Sequence, residues 1–371
     1  MTQNNDVVRV DFDTLESFMA EVFRGLGVPP DDAAVCAGVL IAADKRGIDS
    51  HGINRLKLIY YDRIREGIIS PVTRFEVVRE APATAVIDGH NGMGQVIACR
   101  AMRLAMDKAA QYGLGMAAVR NSNHYGIAGY YALMAAEEGM IGSTGTNARP
   151  SIAPTFGVEN MLGTNPLTFA MPTDEPFPFC LDCATSVTQR GKIEVYAKAN
   201  KNVPPGWVID DAGQSVTDSN RILKDLVAGT AALTPLGGIG EETAGYKGYG
   251  YAAVVEILSA ALQQGSYLKM LLGFQDGRKT TYKLGHFFIA INIAAFTELP
   301  DFKKTTGDIL RALRASRKMP GADRIYTAGE KEYLAWLERK DKGVPLNAEL
   351  RKEIRQMAAE LGLPGPAFAG R

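Results

Sequence analysis

The chain carries no surplus of charge of either sign: 41 Lys and Arg balance 41 Asp and Glu over 371 residues. Nucleic-acid binders normally show a basic surplus, so that class of partner is not expected. Long hydrophobic runs are also missing. The most apolar stretch, "FFIAINIAAF" at 287–296, is too short to span a bilayer and carries Asn292, so no membrane partner is expected. The opening "MTQNNDVVRVDFDTLESF" is polar and acidic with no signal-peptide core, which makes cytoplasm the expected location. Cysteine is scarce: Cys36, Cys99, Cys180 and Cys183. A chain this long does not depend on disulfides. The single C-x-x-C lacks the second pair or the spaced histidines that a zinc site wants, so no metal is expected and small buried thiols are the preferred reading. Histidine is equally rare, at positions 51, 90, 124 and 286. What remains is an ordinary globular composition, 46% hydrophobic and 22% charged, long enough for two or three domains.

Residues 11–27 read as a helix, with Asp13 as cap and Glu16 answering in a capping box. Leu15, Phe18, Met19, Val22, Phe23 and Leu26 form its apolar face, and Gly27 ends it. Further helices are predicted over 31–45 and 55–67. The texture then becomes mixed: β-branched runs from 75, a helix over 95–113, the strand "MAAVRNSN", and a helix over 124–139 opening on His124. Short strands and turns follow to about 200, then a helix over 245–265 and a strand over 285–293. Near the end, Leu350, Ile354, Met357 and Leu361 form a stripe that Gly362 and Pro364 stop. The organisation expected is a helical region over 1–75, an α/β core over 76–300 and a helical region over 301–371, with the two ends packed together.

"AVIDGHNGMGQVIACRAM" has the texture of a dinucleotide-binding turn but not its fingerprint. Gly92 and Gly94 give G-x-G, Ile97 occupies the third glycine position, and no acid ends the next strand. Turn glycines leading into a helix explain it better. No P-loop, H-E-x-x-H helix or G-x-S-x-G elbow is present.

Three clusters carry chemistry. In "GIDSHGINRL", His51 titrates at about 6.5 when unperturbed. Ser50 can orient its ring, and Arg55 has the planar fork that suits a carboxylate. A structural histidine in a capping turn competes with that reading. In "NSNHYGIAGYY", His124 stands at a strand-to-helix junction where backbone N–H groups can face an anion; a polar helix cap competes. In "GTNPLTFAMPTDEPFPFCLDCATSV", Asn165, Asp182, Thr185 and Ser186 are short polar groups in strand-turn texture, and the hydroxyls and free N–H groups of "ATS" could hold phosphate or ribose oxygens, although turn chemistry explains most of this. His90 and His286 read as structural.

Taken in order, "DSHGINRL", "NSNHYGIAGYYALMAAEEGMIG", "GTNPLTFAMPT", "LDCATSV", "TPLGGIGEETAGYKGYGYA" and "GHFFIAIN" resemble the type 2 malate/L-lactate dehydrogenase family. That family also holds sulfolactate, ureidoglycolate and diketogulonate oxidoreductases and piperideine-2-carboxylate reductases. The resemblance runs from about residue 10 to 362. It implies a mixed α/β fold: a non-Rossmann NAD(P)-binding domain with a largely antiparallel sheet, plus a helical region built from both termini. It implies a homodimer whose sites draw on both subunits, NAD or NADP as cofactor, and a small carboxylate substrate. The implied reaction is interconversion of a malate- or lactate-like 2-hydroxy acid and its 2-oxo acid. NADPH-dependent reduction of a cyclic imine is the alternative, and a non-catalytic scaffold a remote one.

By the same resemblance, His51 with Ser50, and His124, fall on catalytic positions. His51 is favoured as proton donor. Arg55 and Asn165 are expected at the substrate. Cofactor contacts fall on His124, Tyr125 and Gly126, on Asp182, Cys183, Ala184, Thr185 and Ser186, on Leu236 and Gly237, and on Gly329 and Glu330. The chain departs from the family pattern at Ala328, where proline is usual, and at Cys183, where methionine is usual.

Overall fold

The computed structural model describes residues 7–366. Strand β1 (Val8–Val10) leads into helix α1 (Phe12–Gly25), whose cap is Asp11: its carboxylate accepts from the Thr14 N–H at 2.8 Å. The sequence had pointed to Asp13 instead, but Asp11 is the last extended residue and Asp13 already lies in the first turn. Glu16 does not close a capping box; it pairs at 3.2 Å with Lys45 at the end of α2 (Pro30–Lys45). Leu15, Phe18, Met19, Val22 and Phe23 of the α1 stripe are buried as predicted, while Leu26 falls at the C-cap, one residue past the helix end at Gly25, and is only partly buried. The stripe shares one core with Leu350, Ile354 and Met357 of the helix Ala348–Leu361, and β1 pairs antiparallel with the strand Val344–Leu346. The two ends of the chain thus close on each other.

The middle is a seven-stranded sheet. In sequence order its strands are β2 (Glu76–Glu80), β3 (Thr84–Asp88), β4 (Leu114–Ser122), β5 (Met140–Thr146), β6 (Leu167–Met171), β7 (Phe179–Cys183) and a late strand, Leu284–Asn292, which inserts between β4 and β5. Every neighbouring pair is antiparallel except β3–β4, which the helix Gly94–Tyr112 joins by a crossover. That one βαβ unit accounts for the Rossmann-like texture; no second unit extends it. Helices Gly94–Tyr112 and Gly129–Glu137 bury alanine-rich faces with sheet residues in a second core. A third cluster, around Ile152, Val208, Ile222 and Leu233, supports the segment leading to Leu236. Among the described residues no helix is long and apolar enough to cross a membrane.

Candidate active site

The S-H-G turn follows α2 and rests on a buried carboxyl. Asp44 Oδ2 accepts from the Ile53 N–H at 2.8 Å, and a Cβ on Gly52 would lie 1.9 Å from Asp44 Oδ1. Only glycine fits there. Burial pushes Asp44 up to about 7. From the C-terminal side, Arg339 of the helix Glu330–Lys342 grips the same turn. Its two terminal nitrogens meet Asp49 at 2.5 and 3.0 Å, and Nη1 also donates to the Asp44 carbonyl at 2.7 Å. Within the turn so held, Ser50 Oγ stands 2.8 Å from His51 Nδ1, and Arg55 Nε donates to the Ser50 carbonyl at 2.5 Å.

His124 arrives from β4. The helix predicted to open on it begins only at Gly129. The intervening residues form a loop, with Gly126 at φ +83° and its N–H donating to His124 Nδ1 at 3.3 Å. The helix start is capped across the sheet: Gly129 N–H donates to Asp182 Oδ2 at 2.7 Å. That N-terminus therefore faces a carboxylate of the protein rather than His124. Gly94 fixes the loop from the other side, because a Cβ there would sit 2.4 Å from both the Asn123 and the His124 carbonyl oxygens.

Tyr60 lies in a π-helical turn, Leu56–Tyr61, and its hydroxyl is 2.6 Å from His124 Nδ1. Since the Gly126 N–H also points at Nδ1, that nitrogen is an acceptor and the neutral ring carries its proton on Nε2. The rings of His51 and His124 stack with centroids 5.7 Å apart and an interplanar angle of 19°. Burial, then the charge of Arg55, holds His51 down at about 4. Burial, then His51, Arg55 and Arg63, holds His124 well below the ordinary imidazole value. Both rings are therefore neutral at pH 7.

The other predicted positions fall into separate groups. A cavity of about 660 Å³ is lined by Asp182 and Gly329, by Lys45 and Arg46, and by Ile48 and Ile127. Phe177, Tyr333 and Trp336 edge it with stacked rings, with centroids 5.2 and 5.9 Å apart. Flat apolar rings beside cations suit a base and its phosphates, and the volume suits a large part of a dinucleotide, so the residues fit a nicotinamide cofactor. Burial raises Asp182 above the usual carboxylate value. Thr185 and Ser186 lie on an adjoining strip, where the Thr185 carbonyl accepts from Leu236 N–H at 2.8 Å and Ser186 bridges to Pro235, next to Leu236 and Gly237. Cys183 and Ala184 are half-buried between these groups.

Three predicted side chains turn inward. Tyr125 stacks on His286 at 4.5 Å. Asn165 is fully buried, and its Nδ2 donates to the Ala252 carbonyl and to Glu256 at 3.1 and 2.8 Å. Glu330 is buried against Arg324 and accepts from Thr327 N–H at 3.1 Å, which orders the loop before Gly329. Of the remaining histidines, His90 meets Glu76 at 2.7 Å and His286 meets Thr146 at 2.7 Å, both apart from the stacked pair. Cys180 and Cys183 are free thiols. Among the described residues no group of three His, Cys, Asp or Glu could hold a metal.

The sequence pointed to neither Asp44, Tyr60 nor Arg339. Asp44 had a visible signal, as an acid in the alanine-rich run of α2; Arg339 had none, because its partners lie 290 residues or more away.

Two neutral imidazoles beside a guanidinium, close to a cavity whose lining fits a dinucleotide, have the chemistry a dehydrogenase requires: a proton carrier, an anion holder and a cofactor bed. The family model for malate/L-lactate dehydrogenase matches residues 10–355. The malate dehydrogenase of Pyrococcus abyssi is 44% identical over 98% of this chain and 97% of its own. The L-sulfolactate dehydrogenase of Methanocaldococcus jannaschii is 37% identical over 94% of this chain and 96% of its own. The crystal structure of malate dehydrogenase from Entamoeba histolytica superposes with a TM-score of 0.94 at 44% identity, over 97% of this chain and all of the other. The chain belongs to the malate/L-lactate dehydrogenase family, and it is an oxidoreductase interconverting a 2-hydroxy acid and its 2-oxo acid with a nicotinamide cofactor.

Proposed function

We propose that the reaction is the reversible oxidation of malate to oxaloacetate, with NAD or NADP, and that His51 moves the proton. The stacking of His51 on His124 beside Arg55 carries this reading. Arg55 takes the C1 carboxylate through its terminal nitrogens, since Nε is committed to the Ser50 carbonyl. His51 turns Nδ1 to Ser50, which leaves Nε2 for the substrate. Being neutral, it accepts the C2 hydroxyl proton in oxidation and returns it to the developing alkoxide in reduction. His124 keeps its proton on Nε2 and donates a hydrogen bond to the substrate oxygen without itself ionising. When bound, the nicotinamide supplies or accepts the hydride at C2. Asp182 through Ser186, Leu236 with Gly237, Gly329 with Glu330, and His124 through Gly126 are the cofactor positions of this proposal, Tyr125 by its backbone.

The proposal includes a cytoplasmic homodimer. Support comes from the exposed face of the helix Gly245–Ala260, where Tyr246, Tyr249, Tyr251, Val254 and Ile257 stand out to solvent. Hydroxy-acid chemistry is preferred to imine reduction because the relatives at 44% and 37% identity are malate and sulfolactate dehydrogenases. A panel of oxaloacetate, pyruvate, sulfopyruvate and piperideine-2-carboxylate, each with NADH and NADPH, and of ureidoglycolate with NAD and NADP, tests it. The expected result is highest kcat/KM on a 2-oxo acid; turnover of the imine alone would overturn the reading.

A further inference from the structure

Three polar side chains stand in line behind His124, and the chemistry above uses only the first. Tyr60, Gln95 and Cys36 are each fully buried. They come from three different elements: the π-helical turn Leu56–Tyr61, the helix Gly94–Tyr112 and α2. Tyr60 and Cys36 share one core cluster with Met93 and Val96, the residues on either side of Gly94 and Gln95. Phe23 meets the Tyr60 ring edge-on at 5.8 Å between centroids and holds its plane.

Each link has a direction. Cys36 Sγ donates to Gln95 Oε1 at 3.8 Å, which leaves the Gln95 Nε2 hydrogens for another acceptor. Nε2 is buried and has no partner at full hydrogen-bond geometry. Buried donors in that state are rare and costly. The Tyr60 hydroxyl is the acceptor it works on. Burial raises that phenol well above its ordinary value, and hydrogen bonding from Gln95 acts against the rise.

The direction matters because Tyr60 has two acceptors within reach: His124 Nδ1 at 2.6 Å and the His124 carbonyl oxygen at 3.4 Å. A hydroxyl turned to the carbonyl presents its own oxygen to Nδ1. Nδ1 could then carry the ring proton, and Nε2 would lose it. The Gly126 N–H, at 3.3 Å from Nδ1, is a long bond and a weak guard against that switch.

We propose that Gln95 is a positioning residue for the reaction: its Nε2–H donates to the Tyr60 hydroxyl oxygen, which commits the Tyr60 proton to His124 Nδ1 and keeps the His124 proton on Nε2. Cys36 orients the amide, and Gln95 acts only through Tyr60. This rests on the reading above in which His124 donates from Nε2 to the substrate oxygen.

The test is side-chain 15N NMR of the histidines at pH 7 together with kinetics on oxaloacetate, in wild type, Q95M, Y60F and the double variant. The chain has only four histidines, and the His124 signals are assigned by their loss in H124N. Wild-type His124 should be a single neutral tautomer with its proton on Nε2. Q95M should show a mixture of the two tautomers and lose about fivefold in kcat, the worth of one neutral hydrogen bond, with NAD(P)H affinity by fluorescence quenching nearly unchanged. In the Y60F background, Q95M should cost nothing further, because the link it acts through is gone. Q95L repeats the test if Q95M does not fold. A pure Nε2–H tautomer in the Gln95 variant, or losses in kcat that add in the double variant, would overturn the role of Gln95 and leave the reading of His124 intact. A wild-type His124 protonated on Nδ1 would overturn both.

Discussion

The imidazoles of His51 and His124 lie stacked at 5.7 Å, one carried by the turn after α2 and the other by the loop after β4. Neither ring makes an ion pair among the described residues, and burial keeps both uncharged. Two rings this close avoid holding two positive charges side by side.

The pH profile follows from the direction of the His51 shift. A base must be neutral to act, and His51 in the free enzyme protonates only near 4. kcat/KM for malate oxidation should therefore show no acid limb at about 6.5, the ordinary imidazole value. Arg55 contributes to the depression, so Arg55→Gln should move the limb to higher pH while lowering the rate throughout. A limb near 6.5 in the wild type, or one that moves down in the variant, would contradict this placement of His51.

Arg339 and Asp49 should behave as one unit. Arg339→Met and Asp49→Asn each release the S-H-G turn from the helix Glu330–Lys342, and each should cut kcat by about tenfold or more through misplacement of His51. A double-mutant cycle should show the pair costing little more than either single change. Additive losses would mean that the two residues act separately.

Asp44 links the turn to stability. Its folded value, about 7, is raised above the 3.8 of an ordinary aspartate. The stabilisation from its bound proton is complete below pH 3.8 and is lost as pH rises through 7. Asp44→Asn keeps an acceptor for Ile53 and cannot ionise. Denaturant midpoints should therefore move in the variant's favour, relative to wild type, between about pH 4 and about pH 7. A gap that stays constant across that range would refute the shift. Gly52→Ala, which drives a Cβ onto the same carboxyl, should cost about 1–3 kcal/mol, part of it recovered when Asp44→Ala is added.

What was legible in the sequence follows the range over which each feature is determined. The stripes of α1 and of the helix Ala348–Leu361 are local patterns of 3.6-residue period, and both are buried where the period puts them. His51 and His124 stood out because histidine is rare and each sits among glycine and short polar residues. The start of the helix after His124 was misplaced because its cap, Asp182, comes from β7, 53 residues away. Rejecting the dinucleotide fingerprint at Gly92 and Gly94 left the real function of Gly94 unread: the close approach it allows to the Asn123 and His124 carbonyls is a tertiary contact. Arg339 was invisible for the same reason, since a surface-patterned helix gives no sign that one arginine reaches back to residue 49.

The most direct measurement compares His51→Ala with wild type in two assays: turnover of oxaloacetate, and cofactor affinity by quenching of NAD(P)H fluorescence. The expected result is a fall in kcat of about a hundredfold to ten-thousandfold with cofactor affinity nearly unchanged. Unchanged turnover would contradict proton transfer by His51, and so would a loss confined to cofactor binding.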